Sequence, residues 1–493
     1  MTVLARGTLA LVVIATGCAT PDAHPVDGDA PFADSDAARW FSGDTHIHFW
    51  DSHLATPGPE LTFEDIYARQ KQRDLDLAGV LTWNGAGSNT ETMLRESVSL
   101  IDGQEHPITR GDPDRVMKVD IEMSPFCRFQ SHMPGHTVGL NLSDGMFCPF
   151  ESYQAPNFDF FRAQPEAVTG YAHVTWPRDR DEFPALTCAQ PVACGAVDAA
   201  SPLTAGVAYM APIDVAMGRV DFVESGRILV TPGIDVSWYS LWYRLLNCGF
   251  RIGIAGGSDN GCPSAAIGDV RTYALVRPPL TYPKWVKALK AGRTTIADTV
   301  EGNLRLIEIE VGDAVVGDQF DLQAGGGDVE VTVKYTVDAA LGDQGQLELV
   351  RDGHVFHTEP YDLPEGGTHE FQVRVSFAES GWLAARQASA HTGAVFVLVD
   401  GKRIVKQADA VYMRRWCRML VEDILGDSPC FDLERVPGFD TTPHVIAYID
   451  EARLIFDALA TRPDEPLPVP SVGTASLCDQ GAFAMPPLLQ SQP

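Results

Sequence analysis

Phe41-Ser42-Gly43-Asp44-Thr45-His46-Ile47-His48 decides how the first half of the chain is read. It reads as a strand from about Phe41 to His48, and because alternate side chains of a strand point the same way, His46 and His48 share one face. A loop bearing Pro and Gly follows, then a helix that begins near Thr62 with Asp65 at the capping-box position. That helix is expected to end at Gly79, with Val80 to Trp83 as the next strand. Later apolar segments end at Glu122, near His136, at His173, near Glu224 and at Gly256, and Trp238 to Asn247 reads as a helix closed by Gly249. Strand and helix in alternation from Trp40 to about Asp298 are the order of a βα-repeat domain, hence α/β, a barrel or layered sheet.

From about Val300 the period changes to two, as in Val329, Val331, Val333, Tyr335 and Val337, the pattern of a half-buried strand. Asp352-Gly353 and Asp400-Gly401 each separate strand-like runs and read as hairpin turns. Residues 299–411 are therefore expected to form a small β-sandwich after a domain at 40–298. Residues 412–493 make a helical extension and tail, in which Thr442-Pro443 opens an amphipathic helix to about Leu459. A chain of 493 residues exceeds what one core usually organises, which agrees with two domains plus tails.

The formal net charge is −29, from 66 acidic and 37 basic side chains. Phosphate binding needs basic surface, so nucleic acid is excluded as an expected partner. At the N-terminus Arg6, an apolar run from Leu9 to Ala15, and Ala-Thr-Gly-Cys ending at Cys18 read as an export signal over residues 1–17. The small residues before Cys18 resemble a bacterial lipoprotein signal, and because Ala15 sits where Leu is commoner, an ordinary signal-peptidase cut is the alternative. Membrane attachment would then be by lipid on Cys18, with residues 18–39 as a tether and a periplasmic or outer-membrane location. Ten cysteines fit an oxidising compartment, and Cys127/Cys148, Cys188/Cys194, Cys248/Cys262 and Cys417/Cys430 are neighbouring pairs that could close disulfides, leaving Cys478 over, with the connectivity left open by the sequence.

Histidine placement carries the chemistry: seven of the thirteen fall between His46 and His173, mostly beside predicted strands. HxH alone is a weak motif, more often structural than ligating. It gains weight from Glu122 at the end of Val116 to Glu122, His136 ahead of Thr137 to Leu142 (His132 competes for this assignment), His173 closing Val168 to His173, and Asp259 after Gly256-Gly257-Ser258. Glycines there allow close approach of backbone to a site. A βα domain gathers its site at strand ends, where six metal-type residues are unexpected by chance. Imidazole and carboxylate without thiolate suit one or two divalent transition metals, Zn, Mn or Fe.

These residues resemble the polymerase-and-histidinol-phosphatase (PHP) superfamily, and within it the carbaryl-hydrolase-like CehA/McbA metallohydrolases. The resemblance rests on Gly-Asp-Thr-His-Ile-His at the first strand, Gly135-His136, Gly170-Tyr171-Ala172-His173, Val220 to Glu224, Trp242 to Phe250 leading into Ala255 to Asp259, Arg271-Thr272-Tyr273 and Ala291 to Thr294. It runs from Gly43 to about Glu301 and more weakly to about Val411. It implies a distorted (β/α)7 PHP-type barrel followed by the small β-sandwich, with His46, His48, Glu122, His136, His173 and Asp259 as ligands. Two departures stand out: Trp83-Asn84 where members often carry Asp-His, and Asp259-Asn260-Gly261 where many carry Asp-x-His. They leave two ligand positions unfilled, so one or two metals are expected rather than three.

The expected activity is hydrolysis of a small-molecule ester or phosphoester, including carbamate, amide and aryl ester bonds, by water that the cation activates. Arg271 and Arg293 are the candidates for holding developing negative charge, because a guanidinium forks onto oxyanions, against the alternative that they form salt bridges. A reading of another class is an exported, non-catalytic metal-containing binding protein that contacts glycan or cell envelope.

Overall fold

The computed structural model of the protein describes residues 38–49, 61–84, 100–123, 135–145, 155–174, 176–177, 208–225, 236–260, 266–299, 303–340, 342–426 and 442–472. The export-signal segment, His132 and all cysteines but Cys248 and Cys417 lie outside them. No helix among the described residues is long and apolar enough to cross a membrane.

β1 (Arg39–Ile47), β2 (Leu77–Asn84) and β3 (Val116–Met123) pair in parallel, Gly43 facing Leu77 and Leu77 facing Val116. Between β1 and β2 lies α1 (Phe63–Gln72), opened by the expected capping box: Asp65 N donates to Thr62 Oγ1 at 3.1 Å, and Thr62 N donates to the Asp65 carboxylate at 2.9 Å. The helix stops at Gln72 rather than Gly79, because Arg73 caps it and Asp74 turns the chain at φ 50°. Gly79 is inside β2, where an added Cβ would stand 3.2 Å from Asp44 O; its small size serves the approach of β2 to β1.

The strict strand–helix repeat then breaks. β4 (Thr137–Leu140) runs antiparallel to β3, and after α2 (Ala155–Arg162), β5 (Val168–Tyr171) runs antiparallel to β4. Two reversals restore the direction of β3. A two-residue ribbon pairs β6 (Trp176–Pro177) with β8 (Val236–Ser237), while α3 (Ala211–Ala216) precedes β7 (Phe222–Ser225) and α4 (Trp238–Asn247) precedes β9 (Gly253–Gly256). β7 and β9 extend the sheet in parallel from β5. On the other side of β1, β10 (Val270–Val276) and β11 (Thr294–Asp298) pair antiparallel, joined by α5 (Tyr282–Lys290).

The sheet curls until β9 reaches β1. Ser258 N donates to Asp44 Oδ1 at 2.9 Å, Asp259 N to His46 O at 2.9 Å, and Gly256 N to Thr272 Oγ1 at 2.7 Å. Among the described residues these bonds, rather than a strand ladder, join β9 to β1 and β10. The result is a mixed α/β arrangement that meets its own edge at the start.

The remaining strands make two facing sheets. β12 (Arg305–Val311), β13 (Ala314–Val315), β15 (Gly327–Val337) and β18 (Gly367–Phe377) form one. β14 (Gln319–Leu322), β16 (Asp343–Arg351), β17 (His354–Leu363), β19 (Gly381–Gln387), β20 (Ala390–Thr392) and β21 (Val395–Val399) belong to the other. Val331, Val333 and Tyr335 meet Leu347, Leu383 and Val397 in a shared core. This second layer is continuous with the first domain, since β20 pairs with β11. Asp352-Gly353 turns the β16–β17 hairpin with φ 51° and 86°, as expected, whereas Asp400-Gly401 leads out of the sheet.

It leads to α6 (Gln407–Leu425), which packs with α7 (Thr442–Thr461) into the core of the first domain. Trp416 meets Trp176 at 4.8 Å and donates to Tyr209 O, and the Tyr448 hydroxyl donates to Asp214 at 2.6 Å. The C-terminal helices are therefore part of the first domain's core rather than an appendage. Cys417 on α6 and Cys248 are buried free thiols, and Cys430 and Cys262, the partners expected for them, lie outside the described residues.

His391, where the two domains meet, sits among Trp238, Trp242 and Tyr243. Its Nδ1 donates to Thr392 O at 2.7 Å and its Nε2 accepts from the Tyr243 hydroxyl at 2.6 Å. Burial, with the Arg386 charge nearby, lowers its pKa to about 3 from 6.5. The unfolded chain therefore binds a proton that the folded chain refuses between those values, so His391 destabilises the fold progressively as pH falls from about 6.5 toward 3. H391Q should be less stable than the parent at pH 7, with the gap narrowing across that window. Paired urea titrations at several pH values measure it, and a gap that stays constant would refute the assignment.

Candidate metal centre

The first donors are set by the pleat of β1. His46 on the strand and His48 just past its end are both buried, with their Nε2 atoms 3.1 Å apart. Each ring is oriented from behind: His46 Nδ1 is 2.8 Å from Glu224 Oε1, and His48 Nδ1 is 3.2 Å from Leu81 O. A hydrogen on each Nδ1 satisfies these acceptors and leaves both Nε2 lone pairs aimed at one place, the outer-shell arrangement typical of metal-bound imidazole.

Glu122 rises from β3 between the two histidine groups. Its Oε2 lies 3.0 Å from His46 Nε2 and 3.3 Å from His48 Nε2, while its Oε1 lies 2.6 Å from His136 Nδ1 and 3.3 Å from His173 Nε2. Asp259 Oδ1 closes the first group at 3.3 Å from His48 Nε2, and His136 Nδ1 and His173 Nε2 stand 3.1 Å apart in the second. Two groups could thus hold a metal ion: His46, His48 and Asp259, and Glu122, His136 and His173. Donors about 2.0–2.1 Å from a tetrahedral cation are about 3.3–3.4 Å from one another, so this spacing fits a coordination shell.

Electrostatics point the same way. Burial opposes charge on His46, but Glu224, Glu122 and Asp259 overcome it and hold its pKa well above the ordinary value. His48 is likewise raised to about 9 against burial, by Asp259 and Glu122. Burial also opposes ionised Glu122, yet His46 and His136 keep its pKa well below the usual range. His136 is lowered by burial. The carboxylates draw positive charge to the centre, and a divalent cation answers the same field that holds these protons.

All six donors predicted from the sequence are brought together. His136 arrives by an unexpected route: it precedes β4, and because β4 is reversed, its beginning lies at the rim where the neighbouring parallel strands end. His173 and Asp259 adopt φ of 33° and 45°, a backbone region that non-glycine residues enter at a cost of about 1–3 kcal/mol and that clusters at functional sites. Gly257 has no substitute, since an added Cβ would stand 2.4 Å from His46 Cβ.

Arg271 and Arg293 are not brought to this centre. The Arg271 guanidinium donates to the carbonyls of Gly268, Asp74 and Arg73, and Arg293 forks onto Asp318 at 3.1–3.2 Å. Arg271 ties a loop beside β10, and Arg293 joins the first domain to the sandwich, so the salt-bridge alternative holds for Arg293. The residue given no role in the sequence was Glu224. Its signal was the same as that of Glu122, a carboxylate at a strand end. Asp44 and Asn260 also act from behind: buried Asp44 accepts from the amides of His46, Ser258 and Gly268, and Asn260 Oδ1 accepts from His48 N at 2.6 Å. The Trp83 and Asn84 side chains lie outside the described residues.

No family model and no curated protein matches the chain. Among solved structures, PsfC from Pseudomonas syringae PB-5123 is similar over 54% of this chain and 93% of its own, at 12% identity and a TM-score of 0.32. So loose a likeness carries no argument about fold or function.

Proposed function

We propose that the protein is a metal-dependent hydrolase with a PHP-type barrel, acting on an ester-type bond of a small molecule. The observation that carries this reading is Glu122, which directs one carboxylate oxygen to His46 and His48 and the other to His136 and His173. One or two ions of Zn, Mn or Fe are proposed, held by His46, His48 and Asp259 on one side and His136 and His173 on the other, with Glu122 between. A cation in such a site lowers the pKa of water toward about 7 and polarises an attacked carbonyl or phosphoryl oxygen. The chain's own part is to orient: Glu224 holds the His46 ring, Leu81 O holds the His48 ring, and Asp44 fixes the loop carrying Asp259 to β1.

Purified protein should carry one or two transition-metal ions per chain and melt lower after chelation, because an ion that binds only the folded state stabilises it. Elemental analysis and thermal scans measure this, and protein free of metal after growth in supplemented medium would refute the site. Screening p-nitrophenyl phosphate, a phosphodiester and aryl esters then separates the reactions. Metal without turnover of any of them would favour the non-catalytic binding protein.

A further inference from the structure

A second concavity lies at the opposite end of the strands from the metal donors. Val168, Asp221 and Ile252 line it just at or before the starts of β5, β7 and β9, whereas His173, Glu224 and Asp259 stand at or past their ends. A strand rises about 3.3 Å per residue, so the two sites are separated by roughly 15 Å of sheet. Its volume is about 430 Å³, within the ~300–1,000 Å³ usual for small-molecule sites. Three parts of the fold enclose it: the strand starts, Phe396 and Ala394 of the sandwich, and Ile455 of α7.

Its walls are largely apolar and its charges are mainly cationic. Arg251, Arg403, Lys287 and Lys290 line it against Glu166 and Asp221, an excess of cations in a chain of net charge −29. Asp221 is itself engaged by Lys290 at 3.4 Å and Arg162 at 3.2 Å. Arg251 lies over the Phe396 ring at 4.7 Å and donates to Gln319, a neutral partner. Burial holds its pKa below the usual guanidinium range, with Asp321 compensating only in part. Arg403 Nη1 is buried and has no hydrogen-bond partner among the described residues. A buried donor left unmade costs about 1–3 kcal/mol, which makes Arg403 the feature to explain, with Arg251, whose hydrogen-bond partner is neutral, lining the same cavity.

We propose that this cavity binds an organic anion, an apolar body carrying one carboxylate, with the acid group received by Arg251 and Arg403. The apolar body rests on Phe396, Ile252 and Ile455, and the bound molecule bridges the two domains.

The test is calorimetric titration of the full chain with 2-naphthoate and with its neutral counterpart 2-naphthamide. Naphthoate should bind saturably, one per chain, and at least about tenfold more tightly than naphthamide, a difference of about 1.4 kcal/mol. The double variant R251Q/R403Q should lose that preference, and A291W, which places an indole in the cavity at a helix-compatible position, should abolish binding of both probes. Thermal scans establish that the variants fold, and the naphthoate-to-naphthamide ratio on the unaltered chain requires no variant. Equal affinity for the two probes, no saturable binding of naphthoate, or full binding by folded A291W would each overturn the proposal.

Discussion

Glu122→Ala should strip metal from both donor groups at once and reduce any hydrolysis by at least about a thousandfold, a barrier change of about 4 kcal/mol. Each oxygen of this carboxylate serves a different group, so one substitution opens both. It also removes the buried negative charge that draws cations to His46, His48, His136 and His173, which are themselves neutral donors when unprotonated. The loss should fall on kcat more than KM, because the activated water acts in the transition state. Arg293→Gln provides the contrast, since Arg293 is spent on Asp318, and it should leave metal content unchanged. Elemental analysis of matched preparations decides the first point and steady-state kinetics on a substrate from the screen the second. Wild-type metal content in Glu122→Ala would remove the basis for the proposed centre.

Asp120→Ala, two residues earlier on the same strand, should act on stability instead, by about 3–5 kcal/mol, the usual cost of stranding a buried charge. Lys118 is 1% exposed and its ammonium is 3.0 Å from Asp120 Oδ1 and 2.7 Å from Leu142 O. Asp120 also receives the amides of Asn141 and Leu142 at 2.9 Å each and the Tyr282 hydroxyl at 2.6 Å. Its removal strands an ammonium and three donors in one place. Lys118→Met should cost less, since Asp120 keeps those three donors. Urea unfolding of the two variants measures the difference, with the slope m expected to stay constant. A loss below about 1 kcal/mol for Asp120→Ala would contradict the argument that the pair is desolvated. Metal content should be unaffected, which separates this variant from Glu122→Ala.

The two predictions concern neighbouring residues of β3 with different legibility. Glu122 was recognisable because a carboxylate closing an apolar run has a local signature, and His46 and His48 were recognisable because period two is a property of the strand alone. Trp238–Asn247 and its Gly249 exit were equally local, as was the capping box at Thr62. The partners of Lys118 and Asp120, by contrast, come from residues up to 162 positions away. Arg271 and Arg293 carried the right chemistry for an oxyanion, and only their surroundings revealed that carbonyls and Asp318 already occupy them.

By itself the sequence determined the donor types, their strand-face pairing in β1, and the glycines that let chain segments approach. Those are consequences of side-chain chemistry and of a two-residue repeat, which need no distant partner. Only the tertiary structure decided that β4 is reversed, which brings His136 to the shared rim, and that Glu224 stands behind His46. Strand direction and cross-sheet neighbours depend on pairing between segments remote along the chain, and no local period records that choice.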